Sequence, residues 1–214
     1  VLLAFAMLRE GATGQTADEL DAMFAFDPEA PGESVADLRA FLATHDGDVS
    51  AVDRDEPPSD PLLHVADALF VAPDSGVTPQ FLDAVARFHG GGVYQADFRG
   101  GESKPLLDAW VDRETGGLVT EAPNDPDPET KLSILSAIVL AARWAHEFSP
   151  DATTPERFTR ADGTVVEVDT MHQLFTTSYG AEDGWQAVWL PYTAGFAMIL
   201  ALPPADQGPL TAAQ

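Results

Sequence analysis

Apolar and polar positions change rhythm twice along the chain. Residues 1–8, Val1-Leu2-Leu3-Ala4-Phe5-Ala6-Met7-Leu8, carry no polar group and read as the end of a buried helix, closed by Gly11 and Gly14. Thr16-Ala17-Asp18-Glu19 has capping-box spacing, which predicts a second helix with Leu20, Met23 and Phe24 on its apolar face. Val35, Leu38 and Leu42 then recur at helical spacing across 34–44, and a proline-broken acidic loop fills 45–61. A strand is predicted over Leu62–Val71. Thr78-Pro79 supplies an N-cap followed by a proline at the first helical position, and Phe81, Leu82, Val85 and Phe88 share one helical face. Gly90-Gly91-Gly92 stops that helix, and a short strand follows over 93–98. Leu106, Leu107, Trp110 and Val111 mark a further amphipathic helix that ends at Gly116-Gly117.

The rest of the chain is organised around 130–144. From 132 to 142 there is no charge and only two hydroxyls, Ser133 and Ser136, so a strand here is expected to be central and buried on both faces. The β-branched Ile134, Ile138 and Val139, and the prolines at 123, 126 and 128, argue against a helix. Trp144 stands at the far end. Beyond Phe148 the pattern becomes β: 158–160, the Asp162-Gly163 turn, 165–171, 185–190 and 196–202, the last two joined through Pro191-Tyr192-Thr193-Ala194-Gly195. Helices early and antiparallel strands late predict the α+β class rather than a doubly wound sheet. There is no internal repeat and no clean linker, which predicts one domain over 1–214.

Composition narrows the partners. At 214 residues and 45% hydrophobic, the chain is long enough to remove roughly 70% of its unfolded surface from water. Its formal charge of −24 repels polyanions, so no nucleic acid partner is expected. Such a surface fits a salt-adapted organism or an ordinary acidic protein. There is no cysteine, so disulfides and thiolate chemistry are both excluded. The longest uncharged run is too short to span a bilayer, and no membrane association is expected. Residues 1–8 lack the basic flank and cleavage pattern of a signal peptide. The chain reads as starting inside a helix and stopping at Ala212-Ala213-Gln214 without a closing element.

Catalytic motifs are missing. The histidines at 45, 64, 89, 146 and 172 are scattered, without the three- or four-residue spacing of a metal site. Asn124-Asp125-Pro126-Asp127-Pro128-Glu129 has prolines where a calcium loop needs ligands and a glycine. The triple glycine follows a helix and lacks the lysine of a phosphate cradle. No Gly-x-Ser-x-Gly elbow is present. The expectation is a protein that is not an enzyme and holds no metal or cofactor. Trp110, Trp144, Trp185 and Trp189 are read as core.

Taken in order, these segments resemble the serpins over essentially the whole chain. Ala6-Met7-Leu8 with Gly11-Ala12, Gly14 and Thr16 is similar to the helix B to helix C passage. Ala68-Leu69-Phe70-Val71 resembles the second strand of sheet A, and 81–98 resembles helix E running into the first strand. Leu107, Trp110-Val111, Thr115 and Gly117 resemble helix F. Thr130, Leu132, Leu135, Ala137-Ile138, Trp144 and Phe148 resemble the third strand of sheet A. Thr154, Phe158, Gly163, Met171, Gln186, Leu190-Pro191-Tyr192, Gly195, Met198 and Leu202-Pro203 follow at the spacing of sheets C and B.

The resemblance implies a serpin fold with helices B to F, part of mixed sheet A and antiparallel strands of sheets B and C. It implies a single incomplete domain over 1–214 that lacks helix A and the reactive loop, so the reactive bond is not in this sequence. Residues 1–214 alone are then expected to fold poorly or self-associate. The implied activity is suicide inhibition of serine or cysteine proteases, in which a cleaved loop inserts beside the third strand of sheet A. A non-inhibitory carrier or chaperone of the same fold is the alternative. Ser136 falls in the family's shutter and Trp144 in its breach. Asp67, Asp108 and Ser136 stand near positions where serpins usually carry asparagine. Heparin-binding members use a basic helix D; the equivalent 34–61 is acidic, so no heparin activation is expected. The parent protein is expected to be an extracellular monomer whose partner is its target protease.

Overall fold

The computed structural model describes residues 1–204; the expectation about Ala212, Ala213 and Gln214 lies outside them. The chain divides into two compact units, Val1–Glu56 with Leu62–Ala141, and Pro57–Pro61 with the segment from Ala142 onward.

In the first unit, helices α1 (Leu2–Arg9), α2 (Gln15–Phe24), α3 (Glu33–Ala43), α4 (Pro79–Phe88) and α5 (Ser103–Glu114) accompany a three-stranded sheet of β1 (Leu62–Val71), β2 (Gly92–Gln95) and β3 (Leu132–Ala141). The order is β2-β1-β3. β1 runs parallel to β2 and antiparallel to β3, in a ladder from Leu62 opposite Ala141 to Val71 opposite Leu132. Parallel pairing needs a crossover, and α4 provides it. Thr78 accepts a hydrogen bond from the Phe81 N–H, and Pro79 occupies the first turn, where its missing N–H costs nothing. The helix ends at Gly90, whose φ of +58° closes the last turn.

Both faces of β1 are covered. On one, Leu107, Trp110 and Val111, spaced i, i+3, i+4 on α5, pack against Ala68, Phe70, Leu135 and Ala137. On the other, Met7 of α1 and Val85 of α4 pack against Leu69 and Val71, with Ile134 beside them. Leu3, Ala6, Phe26 and Val35 form a third cluster, which Leu42 and Val65 adjoin.

The second unit is antiparallel. β4 (Thr154–Thr159) pairs with β5 (Val165–Thr170), and β6 (Tyr179–Glu182), β7 (Trp185–Pro191) and β8 (Ala197–Leu202) form a meander. The α+β class is therefore as the sequence predicts.

Several expectations need correction. Among the described residues β3 is neither central nor buried on both faces. It is the edge of the described sheet, and its burial alternates: Ser133, Leu135, Ala137, Val139 and Ala141 are buried, whereas Ile138 is 62% exposed. The five buried residues lie on the α5 side; on the other face α1 and α4 cover β1, with Ile134 of β3 packed beside them. The capping box does not form. The helix begins one residue earlier, at Gln15, and Glu19 accepts from the Gln15 side chain instead. Met23, Leu82, Leu106 and Trp189 are exposed rather than packed. The strand expected over 93–98 is β2, ending at Gln95, and β6 was not anticipated.

Candidate functional site

Ser136 sits at the middle of β3, directly opposite Asp67 of β1. Opposed residues of an antiparallel pair project from the same face, yet the two are treated differently. Asp67 is fully enclosed and accepts at 2.9 Å from the Arg39 guanidinium of α3, while its other oxygen, Oδ1, has no partner. Ser136 is exposed, and its hydroxyl makes no hydrogen bond among the described residues. The remaining β3 hydroxyl, Ser133, is buried and accepts from the Asn124 amide at 2.9 Å. On its outer side β3 has no partner strand among the described residues.

Asp67 belongs to a buried polar cluster. His89, at the end of α4, meets Glu10 at 3.0 Å. Burial depresses the His89 pKa, Glu10 opposes that, and the Arg39 charge depresses it further. A neutral ring donating from Nε2 to Glu10 leaves Nδ1 an acceptor, and Nδ1 is buried without a partner, as is Arg39 Nε. Unpaired buried polar atoms of this kind cost stability. The glycine next along is required by packing: a Cβ at Gly91 would come within 2.9 Å of the Asp67 carbonyl oxygen.

Asp108, on α5, accepts from the Ala122 N–H at 2.7 Å and from the Lys104 ammonium, which also donates to the Ala122 carbonyl at 3.2 Å. The Lys104 and Ala122 contacts lower the Asp108 pKa. An asparagine donates and accepts through one amide; here the two tasks are divided between Asp108 and Lys104, and the segment leaving α5 is tied to the helix.

Trp144 lies in the second unit, three residues beyond the end of β3. Its ring stacks on Tyr192 with centroids 4.2 Å apart and meets Phe148 edge-on at 5.9 Å. Trp144 and Tyr192 also form an isolated antiparallel bridge, framed by Ala145 N–H to Pro191 C=O and Thr193 N–H to Arg143 C=O, each 2.9 Å. Arg143 donates to the Pro57 carbonyl and the Thr193 hydroxyl to that of Ser59. The tryptophan is thus a held aromatic anchor, partly exposed. Burial raises the Tyr192 pKa.

No group of three or more histidine, cysteine or carboxylate side chains suited to a metal ion occurs among the described residues, and no described helix is long and apolar enough to cross a membrane. Sequence reasoning missed one further junction. The His64 ring of β1 lies between Asp46 and Glu114, partners 18 and 50 residues away that no local pattern announces.

Comparison with known proteins identifies the family of the chain. The chain is 29% identical over 204 residues to a serpin-like protein of Thermococcus kodakarensis, with 94% of this chain and 45% of that protein aligned. It is 27% identical over 231 residues to human neuroserpin, covering all of this chain and 54% of that one. The chain therefore spans about half the length of the curated relatives it matches. Among solved structures, the native stressed conformation of Arabidopsis AtSerpin1 superposes with a TM-score of 0.79 at 24% identity, over 97% of this chain and 53% of that one. Reaction-loop-cleaved lamprey angiotensinogen does so at 0.74 and 24%, over 96% and 58%. The family model for serpins, the serine protease inhibitors, matches residues 1–214, and the chain belongs to that family.

Proposed function

We propose that the protein is a suicide-substrate inhibitor of serine or cysteine proteases, in which a cleaved loop enters sheet A beside β3. The family supports a protease-inhibitor role in general. The observation that supports the finer reading is β3 itself: an uncharged ten-residue strand that, among the described residues, pairs on one side with β1 and is covered by α5 on one face. An unpaired edge of this kind accepts a further strand through its free N–H and C=O groups. Ser136 is the shutter residue of this reading and Trp144 its breach residue. Residues 1–214 are part of a single serpin domain, and the reactive bond lies outside them.

The protein acts as an extracellular monomer on its target protease and needs no heparin. Arg39 is the one base of α3, and it is held by Asp67 rather than presented to solvent. Salt-sensitive retention on immobilised heparin would contradict this.

The test of inhibition is incubation of the intact natural chain carrying residues 1–214 with trypsin-like, chymotrypsin-like and papain-like proteases. A covalent complex that survives denaturing electrophoresis is expected with one of them. Cleavage in the loop with no complex and no gain in thermal stability would sink the reading and leave a carrier or chaperone of the same fold.

A further inference from the structure

Three elements of the first unit meet at one imidazole. His64, in the first half of β1, places Nδ1 2.7 Å from Asp46 Oδ1, in the loop after α3, and Nε2 3.2 Å from Glu114 Oε2, in the last turn of α5. Its side chain is 17% exposed. Ionised carboxylates only accept, so both contacts are hydrogen bonds at once only when both ring nitrogens carry a proton. A neutral ring turns a lone pair toward one of the carboxylates.

We propose that His64 is a proton-operated clasp, holding the end of α5 and the loop after α3 onto β1 when charged and releasing one of them when neutral.

The other charged groups near His64 are already committed. Arg39 of α3 pairs with Asp67. Arg87 of α4 lies 4.9 Å over the Phe88 ring. His89, at the end of α4, is bound to Glu10, and burial favours its neutral form. Arg113 of α5 takes the other Glu114 oxygen, Oε1, leaving Oε2 for His64. His45, beside Asp46, packs its ring against Phe41, and Tyr94 of β2 stacks on Phe70. Burial alone disfavours a charged His64, but the hydrogen bonds it donates to both carboxylates outweigh that, and its pKa is raised. The sign follows. A raised native pKa makes the clasp's contribution complete below the ordinary histidine value, about 6.5, and removes it as pH climbs through the raised value.

α5 packs across β1 and β3 through Leu107 and Trp110, so any sliding of β3 under α5 works against this fastening. That consequence for inhibition rests on the loop-insertion reading; the clasp does not, and its test needs no protease.

The experiment is amide hydrogen exchange in the intact chain at about pH 5.5 and about pH 8, corrected for the intrinsic rate of exchange. Protection in the last turn of α5 is expected to fall several-fold at the higher pH, and His64→Gln is expected to abolish that dependence. A flat profile in the native protein, or an unchanged one in the variant, overturns the proposal. Should His64→Gln not fold, the ring titration by NMR decides: a midpoint above about 6.5, lowered in Glu114→Gln, supports the clasp, and a midpoint at or below about 6.5 overturns it.

Discussion

β1 and β3 are ten residues each, lie side by side in one antiparallel ladder, and carry two polar residues apiece. They are held very differently. β1 has a strand on either side and helices over both faces, and both its polar residues are fastened to other elements, His64 to Asp46 and Glu114, and Asp67 to Arg39. Among the described residues β3 has one partner strand, α5 over one face, and one polar residue, Ser136, with no bond. The difference teaches that, among the described residues, this sheet places its ionic contacts on β1 and holds β3 through fewer bonds. That is the division a strand-inserting inhibitor needs.

The comparison is open to attack at four strengths. Phe70→Ala, at a fully buried β1 position, is expected to cost about 3–5 kcal/mol in chemical denaturation. Asp67→Ala, which leaves Arg39 largely buried and unpaired, should cost about 3–5 kcal/mol as well, and the double change Arg39→Met with Asp67→Leu should recover most of it. If the double variant is no better than the single one, the ion pair is not what fixes β1 to α3.

A smaller effect is expected at Asp108. Its native pKa is lowered, so its contribution is present above the ordinary carboxylate value and lost as pH falls through the lowered one. Thermal melts should therefore separate wild type from Asp108→Ala at neutral pH and converge in acid; a gap independent of pH would contradict the Lys104 and Ala122 contacts. Smallest of all, Ser136→Ala should change stability by within about 0.5 kcal/mol, because nothing among the described residues is bonded to the hydroxyl that it removes. A loss as large as that of Asp67→Ala would erase the contrast between the two strands.

What was legible in the sequence was local. Thr78-Pro79 fixes the start of α4 through groups within one turn, and Leu62–Val71 was bounded correctly because turn residues flank it. The helix predicted at Thr16 was displaced by one residue because Gly14, at a φ of +57°, starts it from Gln15. β6 lacks apolar alternation, and its one sequence signal is the hairpin dipeptide Asp183-Gly184, both residues at positive φ. Non-local facts were hidden. An apolar run states that a strand tolerates burial; whether it is central or at an edge depends on its neighbours, and among the described residues β3 has β1 alone. Ser136 and Trp144 were identified only through the family resemblance, and Ser136 opposite Asp67 is a matter of register that composition does not record. His64 looked like one more scattered histidine because its partners come from distant parts of the chain.

The central proposal is that a cleaved loop enters the sheet beside β3. The most direct measurement is amide hydrogen exchange at β3 in the intact chain, before and after proteolysis within the reactive loop. The account predicts that the β3 amides directed away from β1 become more strongly protected after cleavage, while the already paired amides of β1 change little. Equal protection of β3 before and after cleavage would contradict it.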